Sequence, residues 1–485
     1  MLLEDSLSKE LITIKSILKK GISGVHFDSR EINEGNLFIA ISGTAMDGHQ
    51  FIKQAIENGA AAIIGEKELT DLNVPYYKTS NSRLALAKVA SEFYNHPWKR
   101  PIMIGITGTN GKTTTSYLLR HILETQGISC SLIGTVKHII NGKDFYSTQT
   151  TPDPILLQKL LVESTDEVII MEVSSHGLDQ NRVCGLKFDI GIFTNLSHDH
   201  LDYHSDLDSY FLVKSKLFTL LKSEGEAIIG TYSSWGKKLQ EKLNLPSSRI
   251  FSFGTDAQDD YELIEWNQGN HRCIIRDFTE KQSFLQPIPG LHNVWNTLGA
   301  YSVARRLKIE AKDIQEALLT FPGVPGRFET YSYAERPTVV VDYAHTPDGL
   351  DHTLKTAKSQ HHSQLFHIFG FRGNRDHSKR ETMLQISVFY SDFVILTLDD
   401  LNNEDYESLV KEMKRMASNI GNNIKIIPDR TLAIEYAWKN ASEKDLIIIT
   451  GKGPETYKQE FVYPCNSDKE TIDYLQNNIR KTHQN

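Results

Sequence analysis

Short runs of β-branched and other apolar residues recur along the chain. Each leads into a polar or glycine-containing turn and then into a stretch with helical spacing. Pro101–Thr107, Val168–Glu172, Ile190–Thr194, Ala227–Ile229, Val339–Tyr343, Leu365–Phe369, Val394–Leu398, Ile424–Ile427 and Leu446–Thr450 are runs of this kind. Several are apolar at successive positions rather than alternating, the pattern of strands covered by helices on both faces. Strands alternating with helices predict an α/β fold built on parallel sheets. Two seams interrupt the pattern, at Tyr94-Asn95-His96-Pro97-Trp98 and at Phe321-Pro322-Gly323-Val324-Pro325-Gly326. Proline and glycine end a helix at such places, so the chain divides into about 1–98, 99–330 and 331–485.

Length agrees with that division: 485 residues correspond to about three domains of ordinary size. The formal net charge is −8, which argues against a protein held to nucleic acid by its overall charge. Four scattered cysteines (Cys130, Cys184, Cys273, Cys465) with no CxxC spacing argue against a disulfide framework and point to a reducing cytoplasm. The N-terminus turns acidic at once, with no leader pattern. No apolar run approaches the ~20 residues of a membrane span.

The sharpest local signal is Gly105-Ile106-Thr107-Gly108-Thr109-Asn110-Gly111-Lys112-Thr113-Thr114-Thr115, between an apolar strand and a helical stretch. Glycines there let backbone N–H groups curl around phosphate oxygens, and the following helix N-terminus adds partial positive charge. Lys112 supplies a cation for the outer phosphates of ATP or GTP, and the Thr113 hydroxyl can reach Mg²⁺. Ile106 stands where the strict phosphate-loop pattern has glycine. Met171-Glu172-Val173-Ser174-Ser175-His176 ends a buried strand, where α/β sheets place their ligands, and Glu172 suits a hard cation. The run His198-Asp199-His200-Leu201-Asp202-Tyr203-His204 suits either Zn²⁺ or, beside a phosphate loop, Mg²⁺. Lys214 reads from composition as a solvated helix lysine. Arg372, Arg375, Lys379 and Arg380 in a glycine-containing loop suit carboxylates or phosphates.

Taken in order, these motifs resemble the Mur ligase family, and within it the ligases that add the third residue of the peptidoglycan stem. Further matching motifs are Asp28-Ser29-Arg30, Asp47-Gly48-His49, Thr150-Thr151-Pro152-Asp153, His292-Asn293-Val294-Trp295-Asn296, Pro325-Gly326-Arg327-Phe328-Glu329 and Asp342-Tyr343-Ala344-His345-Thr346-Pro347. The resemblance covers nearly the whole chain, and Ile106 is usual within it.

It implies a uridine-nucleotide domain, a central phosphate-loop ATPase domain and a C-terminal Rossmann-like domain for the incoming amino acid. It implies that Ser29, Thr150, Thr151, Ser175 and Arg182 contact the UDP-muramoyl dipeptide. Gly108, Thr109, Asn110, Gly111, Lys112, Thr113, Thr114, Asn293, Arg327 and Asp342 would bind ATP. Lys112, Glu172, His200 and Lys214 would be catalytic. Thr113, Glu172, His200 and a carbamylated Lys214 would hold two Mg²⁺ ions, which overturns the surface reading of Lys214. The activity implied is ATP-dependent ligation through an acyl phosphate, in a cytoplasmic monomer without nucleic-acid or membrane partners.

Arg375, Asp399, Asp400, Asn402, Gly451 and Glu455 would face the incoming diamino acid. Diaminopimelate-adding relatives carry Asp-Asn-Pro-Arg where this chain has Asp399-Asp400-Leu401-Asn402. The missing arginine and the two carboxylates favour the cationic amine of L-lysine. Gly451-Lys452-Gly453-Pro454-Glu455 is closer to the diaminopimelate branch, which stays the alternative, as do ornithine and a ligase of a specialised peptide pathway. A folylpolyglutamate-synthetase-like enzyme would lack the Asp28-Ser29-Arg30 region, and a non-catalytic paralogue would lose Lys112, Glu172, His200 or Lys214.

Overall fold

The computed structural model of the chain describes residues 14–43, 46–421 and 423–482. The acidic N-terminal start and the last residues of the polar tail lie outside the described residues. Three sheets follow one another: four strands between Gly24 and Lys78, eleven between Ile102 and Leu285, and six between Glu329 and Thr450. All nine strand runs expected from sequence form, with bounds shifted by a few residues, as in Phe188–Phe193 and Leu221–Gly230. The small N-terminal sheet, all parallel and built of strands of three or four residues, is not among those runs.

Two departures from a purely parallel plan appear in the middle sheet. Tyr261–Asn267, Arg272–Asp277 and Glu280–Leu285 form an antiparallel meander at one edge, and Lys137–Ile140 and Lys143–Tyr146 a hairpin at the other. Both sit at edges, where one face needs no helix and polar residues can alternate with apolar ones. Ile102–Thr107 lies between Val168–Glu172 and Phe188–Phe193, all parallel. The middle and last of these are buried almost throughout because helices cover both faces. The helix Lys112–Thr125 buries Leu118, Leu119, Ile122 and Leu123 against this sheet and the helix Leu291–Arg306. Each such side chain contributes about 1.5–3 kcal/mol by leaving water.

In the C-terminal sheet, Thr338–Asp342, Leu446–Thr450, Leu365–Phe371 and Phe393–Leu398 are successive parallel neighbours. Their C-terminal ends bring Tyr343, Gly451, Arg372 and Asp399 side by side. Among the described residues, no helix is long and apolar enough to cross a membrane.

Candidate active site

The phosphate loop leaves the strand Ile102–Thr107 and enters the helix beginning at Lys112. Two glycines make the turn possible. Gly108 and Gly111 have φ of 148° and 88°, and a Cβ on either would collide with Thr194 Oγ1 or Asn296 Oδ1. Flanking strands set what stands beside the loop. Glu172 pairs in register with Ile106 on one side, and Phe193 with Thr107 on the other, so the segment after Phe193 carries His198–His204 alongside the loop.

A cleft of about 480 Å³ opens over this loop. Of the residues expected to bind ATP, Thr109, Asn110, Gly111, Lys112, Thr113, Thr114, Asn293, Arg327 and Asp342 line it, and Gly108 lies beneath. Thr150, His200 and Arg375 line it too. Tyr232 and Trp295 stack at 4.5 Å to form an aromatic wall. The cleft spans the middle and C-terminal sheets, closed by bonds across it. Asp348 accepts from Asn110 Nδ2 at 2.7 Å and Ser197 Oγ at 3.0 Å, and Arg327 reaches the Thr113 hydroxyl at 3.4 Å. Lys379 lies 3.7 Å from Asp199, and Arg375 3.7 Å from Asp202.

Lys112 donates to the carbonyls of Gly108 and Thr109 at 2.8 and 3.0 Å. Burial lowers its pKa, with Glu172 and Asp199 opposing. Glu172 is fully buried and accepts from Thr113 Oγ1 at 2.9 Å and from Thr135 N and Oγ1 at 3.1 and 2.8 Å. Burial works against the Asp199 carboxylate, but His200, His345 and Lys379 around it win and lower it to about 2. Asp342 is raised by burial, although Arg327 and the N–H groups of Ala344 and Phe328 oppose.

Lys214 is not a surface lysine. Asp206 and Ser209 form a capping box that starts the helix Leu207–Thr219, and this helix turns Lys214 inward, 1% exposed. Its Nζ donates to Gly108 O at 2.7 Å. Burial, joined by the Lys112 charge, lowers its pKa well below the ordinary lysine value, with Asp199 opposing.

The histidines near it diverge instead of converging on one ion. His198 turns to Asp376 at 3.3 Å, His200 to Asp199 at 3.4 Å, and His204 stacks on Tyr210. That argues against the Zn²⁺ alternative. Among the described residues, the group with metal-ligand spacing is His377, Glu404 and Glu412, and Arg380 already bridges its two carboxylates.

Thr151, Ser175 and Arg182 gather beside Glu172. Thr151 Oγ1 donates to the Glu172 carbonyl at 2.9 Å and accepts from Ser174 N, while Arg182 donates to the Thr151 carbonyl at 2.7 Å. Ser175 opens the short helix behind them. Ser29 belongs to the N-terminal sheet region, outside the cleft lining, and donates to Gln54 at 2.7 Å.

The residues expected at the amino-acid end gather beyond the C-terminal sheet, but their charges are already met. Lys452, 1% exposed, lies 2.7 Å from Asp400 and 3.5 Å from Asp399. Arg372 Nη2 donates to Glu455 and, at 3.1 Å, to the carbonyl of Gly451. Asn402 donates to the Gly373 carbonyl at 3.2 Å. The expectation that Asp399 and Asp400 favour a lysine side chain therefore loses its basis, because buried cations of this chain neutralise both. Sequence reading passed over Lys452 and Asp348, although Lys452 stands within a quoted glycine motif. Nothing local marks Asp348, because its partners Asn110 and Ser197 are far away in sequence.

Family profiles described as Mur ligase family catalytic domain, Mur ligase middle domain and Mur ligase glutamate ligase domain match residues 21–94, 106–304 and 326–453. The UDP-N-acetylmuramoyl-L-alanyl-D-glutamate–2,6-diaminopimelate ligase of Clostridioides difficile is 38% identical over 455 residues, 93% of each chain. Its counterpart from Alkaliphilus oremlandii is 38% identical over 439 residues, 90% of each. A solved structure of a ligase of that name superposes with a TM-score of 0.66 at 29% identity, covering 93% of this chain and 95% of the other.

Proposed function

This chain belongs to the Mur ligase family, and from that premise we propose that it joins UDP-N-acetylmuramoyl-L-alanyl-D-glutamate to a diamino acid at the expense of ATP. The observation that carries this reading is the cleft. A phosphate loop with Lys112 at its centre faces residues of the C-terminal sheet across a gap that bonds such as Asn110–Asp348 close. The names of the relatives support diaminopimelate as the incoming amino acid and give L-lysine no support.

Three regions would divide the work: about 1–98 for the uridine nucleotide, 99–330 for ATP and 331–485 for the amino acid. Ser29, Thr150, Thr151, Ser175 and Arg182 would hold the UDP-linked dipeptide. Lys112 and the loop amides would steady the phosphates while the γ-phosphoryl group passes to the D-glutamyl carboxylate. The amine of the third residue then attacks the acyl phosphate, and the tetrahedral intermediate expels phosphate. Closure of the cleft would exclude water from that intermediate.

Thr113 and Glu172 would supply the oxygen donors that a hard cation such as Mg²⁺ takes, with His200 beside them in the same cleft. A bound Mg²⁺ would neutralise charge on the phosphates. Burial of Lys214 beside Gly108 favours its neutral amine, the form that adds CO₂ to give a carbamate, and such a carbamate would supply a carboxylate for a second ion.

Incubation of the protein with the UDP-linked dipeptide, ATP, Mg²⁺ and each diamino acid tests the reading. A UDP-linked tripeptide with one phosphate released per product is expected. Hydrolysis of ATP without a new amide overturns it.

A further inference from the structure

The amino-acid end of the cleft contains an ion-pair cluster that this chain closes on itself. Arg372 stands just past the strand Leu365–Phe371. It lines both the main cleft and the smaller pocket formed by Gly370, Phe371, Arg380 and Met383. Its Nη2 donates to Glu455 and to Gly451 O, and its Nε lies 3.5 Å from Asp399 Oδ2. That Nε and that Oδ2 are both buried without a hydrogen-bond partner. Tyr343 fixes the far side, donating to Glu455 Oε1 at 2.8 Å, with the guanidinium 5.3 Å from its ring centre. Asp399 and Asp400 are matched by Lys452, and Asp400 also by Lys458 at 3.3 Å.

Three carboxylates (Asp399, Asp400, Glu455) thus face three cations (Arg372, Lys452, Lys458), and the cluster carries no surplus charge. A lone ammonium arriving at Glu455 would displace Arg372 and leave its guanidinium only the Asp399 carboxylate at 3.5 Å, already shared with Lys452, which is unfavourable. A lone carboxylate arriving at Arg372 would leave Glu455, 34% exposed, with the Tyr343 hydroxyl and water in place of its cation. A ligand end bearing both charges leaves nothing unpaired: its ammonium replaces the guanidinium on Glu455 and Gly451 O, and its carboxylate replaces Glu455 on Arg372.

We propose, resting on the ligase reading above, that Arg372 is the specificity-determining residue of the amino-acid site. It takes the distal carboxylate of an incoming amino acid whose side chain ends in a zwitterionic α-amino-acid group. Arg372 thereby supplies from the Phe371–Asp376 loop the cation that Asp399-Asp400-Leu401-Asn402 lacks. Diaminopimelate has such an end; lysine and ornithine do not.

The test compares KM for meso-diaminopimelate and for L-lysine in the wild type, R372A and R372K, with the UDP-linked dipeptide and ATP saturating. The wild type is expected to show the lower KM for diaminopimelate. R372A is expected to raise that KM by about tenfold to a hundredfold, the worth of a bidentate charge-assisted pair, without raising the KM for lysine. R372K, which keeps the charge and loses the fork, should fall between, and it carries the test if R372A does not fold. An equal rise for both amino acids would show that Arg372 only braces Glu455, and would overturn the proposal. So would a wild type that prefers lysine, while leaving the ligase reading standing. A wild type forming no product with either amino acid removes the ligase reading and this inference together.

Discussion

Lys112 and Lys214 share one acceptor: both ammonium positions reach the carbonyl of Gly108, at 2.8 and 2.7 Å. Two like charges drawn to one carbonyl oppose each other, and Lys214 is the more deeply buried of the two. Burial disfavours both charges; at Lys112 it is opposed by Glu172 and Asp199 against Arg327, whereas at Lys214 it is joined by the Lys112 charge and opposed by Asp199 alone. The balance therefore disfavours the charged form more at Lys214 than at Lys112. Intact mass spectrometry in bicarbonate buffer should show adduction of one CO₂, absent in Lys214→Ala. That variant should lose nearly all ligation and regain part of it with added short-chain carboxylates. Full activity without rescue would remove the carbamate role.

Replacing Lys112 by Ala should lower kcat by a factor on the order of 10²–10³, the usual loss when one preorganised donor to developing charge is removed. The same change should raise the pKa of Lys214, because its nearest like charge is gone. Titrating the CO₂ adduct against pH in Lys112→Ala checks this. Adduct formation should need a higher pH than in the wild type, and an unchanged profile would mean that burial alone controls Lys214.

The phosphate loop and the runs of apolar residues were legible because each is a contiguous pattern with its own physical signature. Glu172 was legible because a carboxylate ending a buried strand has few structural uses. What stayed hidden depends on pairs far apart in sequence. Lys214 reads as a surface residue until the capped helix turns it onto Gly108. Asp399 and Asp400 read as free anions until Lys452 and Arg372 are brought against them by neighbouring strands. Charge in a list of residues says nothing of whether the charge is already spent.

Asp348 links the C-terminal part of the chain to the phosphate loop through Asn110 and Ser197. Asp348→Ala removes an acceptor from both donors and loosens the closed arrangement. KM for ATP should rise several-fold and the UDP-linked dipeptide should still bind. Binding isotherms for each substrate separate the two effects, and an unchanged KM for ATP would show that closure does not depend on this carboxylate.

His367 is wholly buried in the C-terminal sheet, with Nδ1 2.6 Å from Ser387 Oγ and Nε2 2.9 Å from Thr450 Oγ1. Burial, with a smaller push from Arg430, lowers its pKa to about 3. In the unfolded chain an ordinary histidine titrates near about 6.5. Above that pH both states are neutral and the contribution of His367 is fully present. As pH falls from there toward 3, the unfolded chain takes up a proton that the folded protein refuses, so stability declines. The slope from one such group approaches about 1.4 kcal/mol per pH unit. Thermal melts should therefore show Tm falling as pH is lowered from neutral to about 4.5. His367→Gln should melt lower at pH 7 but lose less Tm over the same interval, since one proton no longer separates the two states. His292 and His345, lowered to about 3 by burial as well, keep some slope in the variant. Parallel Tm curves for the wild type and the variant would show that His367 does not contribute to acid sensitivity.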